Sequence, residues 1–390
     1  MKLSKNTTTV LYINHYMTRG KSSEETDQKT INFLLDKTKK IVFIGNPFPI
    51  SPFKETILES YENGQLVKNK KIPTWKGPEI LQYINHILIT YWLLSKVGLR
   101  YDLCIAHENL SFFILYPLRF LGMIKRLVYY SVDYVPQRFS NQLLNKIYHF
   151  LDRFACKHSD LNWVMVKEQI KIRRRNGITK IDSSPFALAP VGYNFKLINI
   201  KPVDKIDFYN IIFTGALLEN SGPHLGILAL PLLLKRFPKI HYTIVGRGIF
   251  ESELKNLVNS LRLEKKVKFT GYIENFSDLT EIISKGSIGL APFVPNPNSL
   301  SFYSDPSKIK LYLVSGLPVI TTNVTTIAPL IKKTKAGEII DFSEKGLLKA
   351  VEKMLSNKKK YESYKNAAIK LSEEYDIDNI LNKAFEKIPN

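Results

Sequence analysis

Short apolar runs punctuate the chain at spacings that leave room for one helix between neighbours. The pattern is clearest from Asn210 onward: NIIFTG, a helical stretch near Pro223 to Arg236, HYTIVGRG, a helix near Glu251 to Leu261, VKFTGY, a helix near Asp278 to Lys285, SIGLAP, a helix beside Lys308, and LPVITT. Short apolar strands that alternate with helices predict a parallel sheet covered on both faces. The first half opens the same way, with TVLYINHY, the polar loop MTRGKSSEE, a helix from about Glu24 to Lys37, and KIVFIGNP. YDLCIAHEN, RLVYYSVDY and LNWVMV read as further strands, with polar residues at the ends where parallel sheets hold their binding groups. Pro185, Pro190 and Pro202 break the alternation between about Ser183 and Asp207, which reads as a linker. The expected fold class is α/β with two doubly wound domains, residues 1–203 and 204–372, followed by a C-terminal helix over 373–390 that packs back on the first domain.

Composition narrows the partners. With 44% hydrophobic residues in a chain of 390, two sizeable cores are affordable. Lys and Arg number 56 against 35 Asp and Glu, a formal charge of +21, which calls for an anionic partner: nucleic acid, a membrane surface or phosphorylated small molecules. Nucleic acid ranks last, because no zinc-finger spacing, RNP-like aromatic motif or basic-zipper pattern is present. Cys104 and Cys156 lie far apart with no CxxC, which indicates neither a disulfide framework nor a zinc site, and a reducing cytoplasm fits. The N-terminus shows no small-residue cleavage site, and no apolar run reaches the roughly 18 residues of a membrane span, so a soluble or peripheral protein is expected. SFFILYPLRFLGMIKRLVYY mixes aromatic residues with Arg119, Lys125 and Arg126, suited either to an anionic membrane surface or to a buried βα unit with a charged edge. Arg173 to Arg175 read as a solvated helix end.

Candidate chemistry concentrates in the second half. Glycines close three strand-to-helix turns: Gly215, then Gly246 and Gly248 around Arg247, then Gly271. Such turns let a ligand approach backbone N–H groups, although isolated glycines also serve simply as punctuation. In SFYSDPSKIKLYLVSGLPVI, Asp305 suits an N-cap and Pro306 the first helical position. Lys308 and Lys310 then stand in the opening turns, where the helix dipole is already positive and cations are disfavoured. A diphosphate at that helix end would make both lysines favourable; otherwise they snorkel into solvent.

The ordered blocks FTGALLENSGPHLGILAL, HYTIVGRGIFESELKNL, VKFTGYIENFSDLTEII, IGLAPF and SDPSKIKLYLVSGLPVIT resemble the donor half of GT-B glycosyltransferases, especially family 4, the group 1 glycosyl transferases. The resemblance extends more weakly upstream through VYYSVDYVPQRFSNQLLNKIYHFLDRFACKHSDLNWV. It implies two Rossmann-like domains facing a cleft and a retaining transfer from a nucleotide diphosphate-sugar, with UDP- or GDP-sugar first in line and no metal or other cofactor. The acceptor is implied to be a glycan or a lipid-linked molecule, with the enzyme in the cytoplasm or at the inner face of the membrane. On the first domain, the resemblance implies catalytic roles for Asp133 and His107, with Arg19, Tyr134 and Arg138 on the acceptor side. The plainer alternatives are that Asp133 caps a turn, His107 is a satisfied loop histidine and Arg19 is solvated.

Departures from the family pattern bear on activity. Where relatives commonly carry an Arg and a Lys that touch the diphosphate, this chain has Ala216 and Ser221. Where many carry two glutamates for the sugar and the ribose, it has Tyr303 and Leu311. Either Lys308, Lys310 and Arg247 bind the phosphates, or the protein is a non-catalytic nucleotide-sugar sensor or partner subunit.

Overall fold

Every residue of β1 (Thr9–Tyr16) after the first is buried, the pattern of a strand covered on both faces. The computed structural model describes residues 1, 3–16, 26–49, 51–132, 134, 136–138, 141–295 and 305–389. Two units are resolved, one comprising Met1–Pro190 with Ile380–Asn390 and the other Val191–Asn379.

In the first unit, β1 is followed by α1 (Thr26–Leu35), β2 (Lys40–Pro47), β3 (Glu55–Glu62), β4 (Gln65–Pro73), α2 (Glu79–Val97), β5 (Tyr101–His107) and α3 (Asn109–Phe120). Then come β6 (Ile124–Ser131), α4 (Gln142–His158), β7 (Leu161–Val164), α5 (Lys167–Arg175) and β8 (Phe186–Leu188). Their sheet has the order β4-β3-β2-β1-β5-β6-β7-β8. It is parallel except at one edge, where β2, β3 and β4 pair antiparallel. The β3–β4 turn is Asn63-Gly64, both at positive φ (51° and 84°), the residue pair that tight hairpins favour. Leu93 and Leu94 of α2, Phe112 and Leu115 of α3, and Ala155 and Cys156 of α4 share one core with the sheet, so these three helices form one layer.

The stretch from Ser111 to Tyr130 is a buried βα unit. Phe112, Ile114, Leu115 and Leu118 lie in the core. Arg119 pairs with Asp160 at 3.2 Å, Lys125 with Asp102 at 2.8 Å and Arg126 with Asp160 at 3.8 Å. Of the two readings of this stretch, the buried βα unit with a charged edge is the one that forms: Phe112 and Tyr129 lie in the interior and the cations meet carboxylates, while Phe120 and Leu121 stay exposed at the end of α3. The solvated helix end expected at Arg173 is also corrected, since Arg173 is fully buried and holds Asp152 through two nitrogens at 2.7 and 2.9 Å. Paired burial of this kind satisfies both charges.

The second unit contains β9 (Asn210–Thr214), α6 (Pro223–Arg236), β10 (His241–Val245), α7 (Glu251–Ser260), β11 (Val267–Gly271), α8 (Phe276–Ser284) and β12 (Ile288–Ala291). It continues with α9 (Ser307–Val314), β13 (Val319–Thr322), α10 (Ala328–Thr334), β14 (Gly337–Ile340), α11 (Glu344–Leu355) and α12 (Lys358–Ser372). The strand order is β11-β10-β9-β12-β13-β14, parallel throughout. Successive strands run outward from β9 on one side and from β12 on the other, so the sheet switches direction between these two. Crevices at such switch points, outside the carboxyl ends of the strands, are where open α/β sheets bind ligands. Separate cores cover the two faces, one built with α6 and α11, the other with α9 and α12. The chain ends in α13 (Ile377–Glu386), whose Phe385 stacks on Phe33 of α1 and meets Trp163 of β7 edge-on.

Candidate functional site

Backbone bonds tie the ends of β9, β10 and β11 into one rim. The N–H groups of Gly215 and Gly246 donate to Val245 O and Gly271 O, each at 2.9 Å, and Leu217 N donates to Arg247 O at 3.0 Å. Gly246 (φ +138°) has no room for a side chain, because a Cβ there would stand 2.0 Å from Gly215 O. Gly248 is likewise pressed against Leu217 O. The rim encloses a cavity of about 300 Å³ whose lining includes Gly215, Ala216, Gly246, Arg247, Tyr272 and Leu279. Gly271 lies below the Arg247 guanidinium, which is 3.6 Å from where its Cβ would be.

Helix α9 enters beside this rim, at the switch point. Tyr312 anchors it: its hydroxyl accepts from Thr214 N at 2.7 Å and donates to Leu290 O at 3.1 Å, bonding the helix to the ends of β9 and β12. One turn earlier, Lys308 reaches Gly215, with Cε 3.1 Å and Nζ 3.6 Å from where a Cβ on that glycine would be. Lys308 Nζ is buried and, among the described residues, has no hydrogen-bond partner. It stands 3.7 Å from the Phe213 ring centre and 5.2 Å from that of Phe293. Desolvation pulls its pKa down to about 7, an effect the two rings offset in part by attracting the cation.

The neighbouring residues are placed differently from expectation. Asp305 does not cap α9, which begins after Pro306 with no side-chain cap. Its carboxylate instead takes Lys310 Nζ at 2.5 Å and Val191 N at 2.6 Å, and Lys310 also donates to Val191 O at 3.1 Å. Both side chains are almost fully buried, at 3% and 2% exposure. The structure therefore corrects Asp305 and Lys310 from ligand-binding groups to a closed ion pair that fastens Val191 to the start of α9. Leu311 is buried in the apolar core.

On the first unit, His107 ends β5. Its Nδ1 is 2.9 Å from the Tyr12 hydroxyl, its ring lies 5.2 Å from Tyr130, and burial lowers its pKa to about 4. At neutral pH it is an uncharged imidazole, fit to exchange a hydrogen bond but not to supply charge. Glu108, which sequence reasoning passed over, follows with φ 72° and ψ 160°, a conformation normally reserved for glycine. Its N–H donates to Tyr130 O at 2.9 Å and its carboxylate accepts from Val132 N at 3.1 Å, clasping the end of β6. Tyr134 is corrected from an acceptor-side residue to a core one: it is 1% exposed, lies under the Arg173 guanidinium at 4.0 Å and accepts from Asn176 Nδ2 at 2.8 Å. Arg138 remains exposed, with its guanidinium 5.7 Å from the Tyr148 ring centre. Asp133, Arg19 and Tyr303 lie outside the described residues.

Comparison with known proteins matches residues 209–357 to the family described as group 1 glycosyl transferases. An uncharacterized glycosyltransferase of Haemophilus influenzae is 22% identical over 193 residues, 45% of this chain and 48% of that protein. The chain spans between 32% and 48% of the length of the curated relatives it matches. Sucrose-phosphate synthase from Thermosynechococcus elongatus superposes with a TM-score of 0.70 at 14% identity, over 97% of this chain and 98% of that one. Anabaena HepE, solved in complex with UDP-glucose, gives 0.68 at 15% identity, again over 97% and 98%.

Proposed function

We propose, for a chain of GT-B fold whose residues 209–357 belong to the group 1 glycosyl transferases, a retaining transfer of a sugar from a nucleotide diphosphate-sugar to a glycan or lipid-linked acceptor. The observation that carries this reading is Lys308. A half-buried lysine whose ammonium meets no anion among the described residues, at the switch point of a parallel sheet, is a site waiting for negative charge. In the transfer, the bond between the anomeric carbon and the diphosphate oxygen breaks and charge grows on the departing diphosphate. Lys308 stabilises that charge directly, and the desolvated setting strengthens the interaction. Arg247 lines the cavity as a second cation, and Val245, Tyr272 and Ile273 offer the apolar wall on which a nucleobase lies. His107 serves as a neutral hydrogen-bond partner for sugar hydroxyls, and Asp133 as the group that orients the acceptor or takes its proton. UDP-sugars are the first donors to test, given the UDP-glucose complex of Anabaena HepE. An acceptor held on a lipid would bring the protein to the inner face of an anionic membrane.

Calorimetric titration of UDP, GDP, ADP and dTDP into wild type and Lys308→Ala tests the reading. The expected outcome is tight binding of one diphosphate, weakened by the substitution about 10-fold or more, while the bare nucleoside is little affected. Equal loss for diphosphate and nucleoside, or no binding of any of the four, contradicts it. A second reading, a nucleotide-sugar-binding protein without turnover, is favoured by Ala216 in the cavity and by the buried Leu311. It predicts diphosphate-sugar binding with no release of free diphosphate.

A further inference from the structure

Helix α2 is inside out until its last turns. Its 19 residues bury Gln82, His86 and Thr90 before Leu93 and Leu94 join the core. The opposite row, Ile80, Ile84, Leu88 and Trp92 at four-residue spacing, faces solvent with exposures of 71%, 47%, 64% and 51%. A helix that packs only for its own fold's stability buries the other row, so this apolar row is built for something outside the fold. In the same helical layer, α4 repeats the feature: Leu143, Ile147 and Phe150 are 65%, 46% and 62% exposed, while Tyr148, Asp152 and Cys156 are buried. Phe120 and Leu121, at the end of α3 between them, are 80% and 64% exposed.

Charge on this layer identifies its partner. The three helices contain two carboxylates, Glu79 and Asp152, and Asp152 is buried against Arg173. Lys96, Lys146, Arg153 and Lys157 are exposed among the apolar rows. Lys70, Lys71 and Lys76 lead into α2, and Arg100 leaves it. Two of the chain's three tryptophans stand here half-exposed, Trp92 on α2 and Trp75, whose N–H donates to Asn85 of the same helix at 3.3 Å. A second copy of this chain is a poor fit, because an isologous contact would set cations against cations. Rows of Leu, Ile and Phe with tryptophan among them and lysine around them suit a bilayer interface with acidic headgroups.

We infer that the outer face of the α2–α3–α4 layer docks on an anionic lipid bilayer, with the apolar rows entering the headgroup boundary and the lysines meeting lipid phosphates. This surface gives a location to the membrane contact proposed above and rests on that reading. The test is cosedimentation of the full chain with vesicles of phosphatidylcholine containing about 30% phosphatidylglycerol, compared with phosphatidylcholine alone. Binding to the acidic vesicles only, with a blue shift of tryptophan emission, is expected. The double variant Leu88→Asp with Phe150→Asp, changed at exposed positions, should melt as wild type does and bind at least about 10-fold more weakly. Lys146→Glu with Lys157→Glu should lower both the affinity and its sensitivity to salt. Failure of the wild type to bind, or undiminished binding by both double variants, overturns the inference. So does a dimer in vesicle-free buffer that Leu88→Asp dissociates, which would assign the face to a second copy. Titration with UDP on the same samples separates the two readings: lost vesicle binding beside intact nucleotide binding rejects the surface and leaves the donor site standing.

Discussion

Two lysines two residues apart in α9 have opposite fates, and the difference lies in one carboxylate. Asp305 folds back onto Lys310 and Val191, which closes a neutral pair, and leaves Lys308 with aromatic rings and a desolvated ammonium. That arrangement costs stability, which the diphosphate binding proposed above would offset, a trade common at functional sites. Lys308→Met should therefore raise Tm at pH 7 by about 2–4 °C, equivalent to roughly 1 kcal/mol after allowing for partial solvent screening, while weakening diphosphate binding about 10-fold or more. The sign follows from the pKa, which lies at about 7 in the folded protein against an ordinary 10.5. Between those values the unfolded chain holds more protons, so wild-type stability rises with pH and the advantage of Met shrinks toward pH 10. Thermal melts at pH 7 and pH 10 check it; an equal gain at both would mean the lysine is not desolvated. The sequence shows that some charge at this helix end is misplaced. It does not show which lysine, because the partner that neutralises Lys310 is held by Val191, 114 residues away from Asp305.

At the scale of elements, the position of Lys308 is set by the grip of α9 on the sheet. Tyr312 bonds Thr214 N and Leu290 O, and its ring packs where Gly289 has no side chain. Tyr312→Phe keeps the packing and strands both backbone groups, at about 1–3 kcal/mol. Urea unfolding should show that loss, with diphosphate affinity falling as the helix loosens; unchanged affinity would mean that α9 is fixed by its core contacts alone. Such elements are largely legible in sequence when a single pattern dominates. Strands β9, β10 and β11 stand out as apolar runs closed by glycine, and Pro223 opens α6 where a helix-starting proline belongs. The β3–β4 hairpin, which sequence reasoning passes over, carries its own local signal in Asn63-Gly64 between strand-like runs. The orientation of α2 was not legible. Apolar on nearly all sides, it offers no stripe to say which row faces in, and only the buried Gln82, His86 and Thr90 reveal the answer.

Across the whole molecule, the two units hold their ionisable groups differently, and acid should separate them. Burial lowers the pKa of His15 to about 3 and those of His86 and His107 to about 4, all in the first unit. His15 and His86 lie 5.8 Å apart, so a charged His86 adds to the burial that disfavours protonation of His15. In the second unit burial shifts His224 in the same direction, opposed in part by the charge of Glu219. Below the ordinary histidine value of 6.5, the unfolded chain takes up protons that the folded first unit refuses. Its stability is therefore complete above about pH 6.5, declines as pH falls toward 4, and declines no further on account of these groups once their folded pKa values are passed. Trp75, Trp92 and Trp163 all belong to the first unit, so tryptophan fluorescence reports that unit alone, whereas far-ultraviolet circular dichroism reports both. Between pH 7.5 and pH 5 the urea midpoint seen by fluorescence should fall clearly further than the dichroism midpoint, and His86→Leu should reduce the gap. Midpoints that move together would mean that the histidines take up protons without unfolding, through water reaching the two ring nitrogens of His86, which have no hydrogen-bond partner among the described residues.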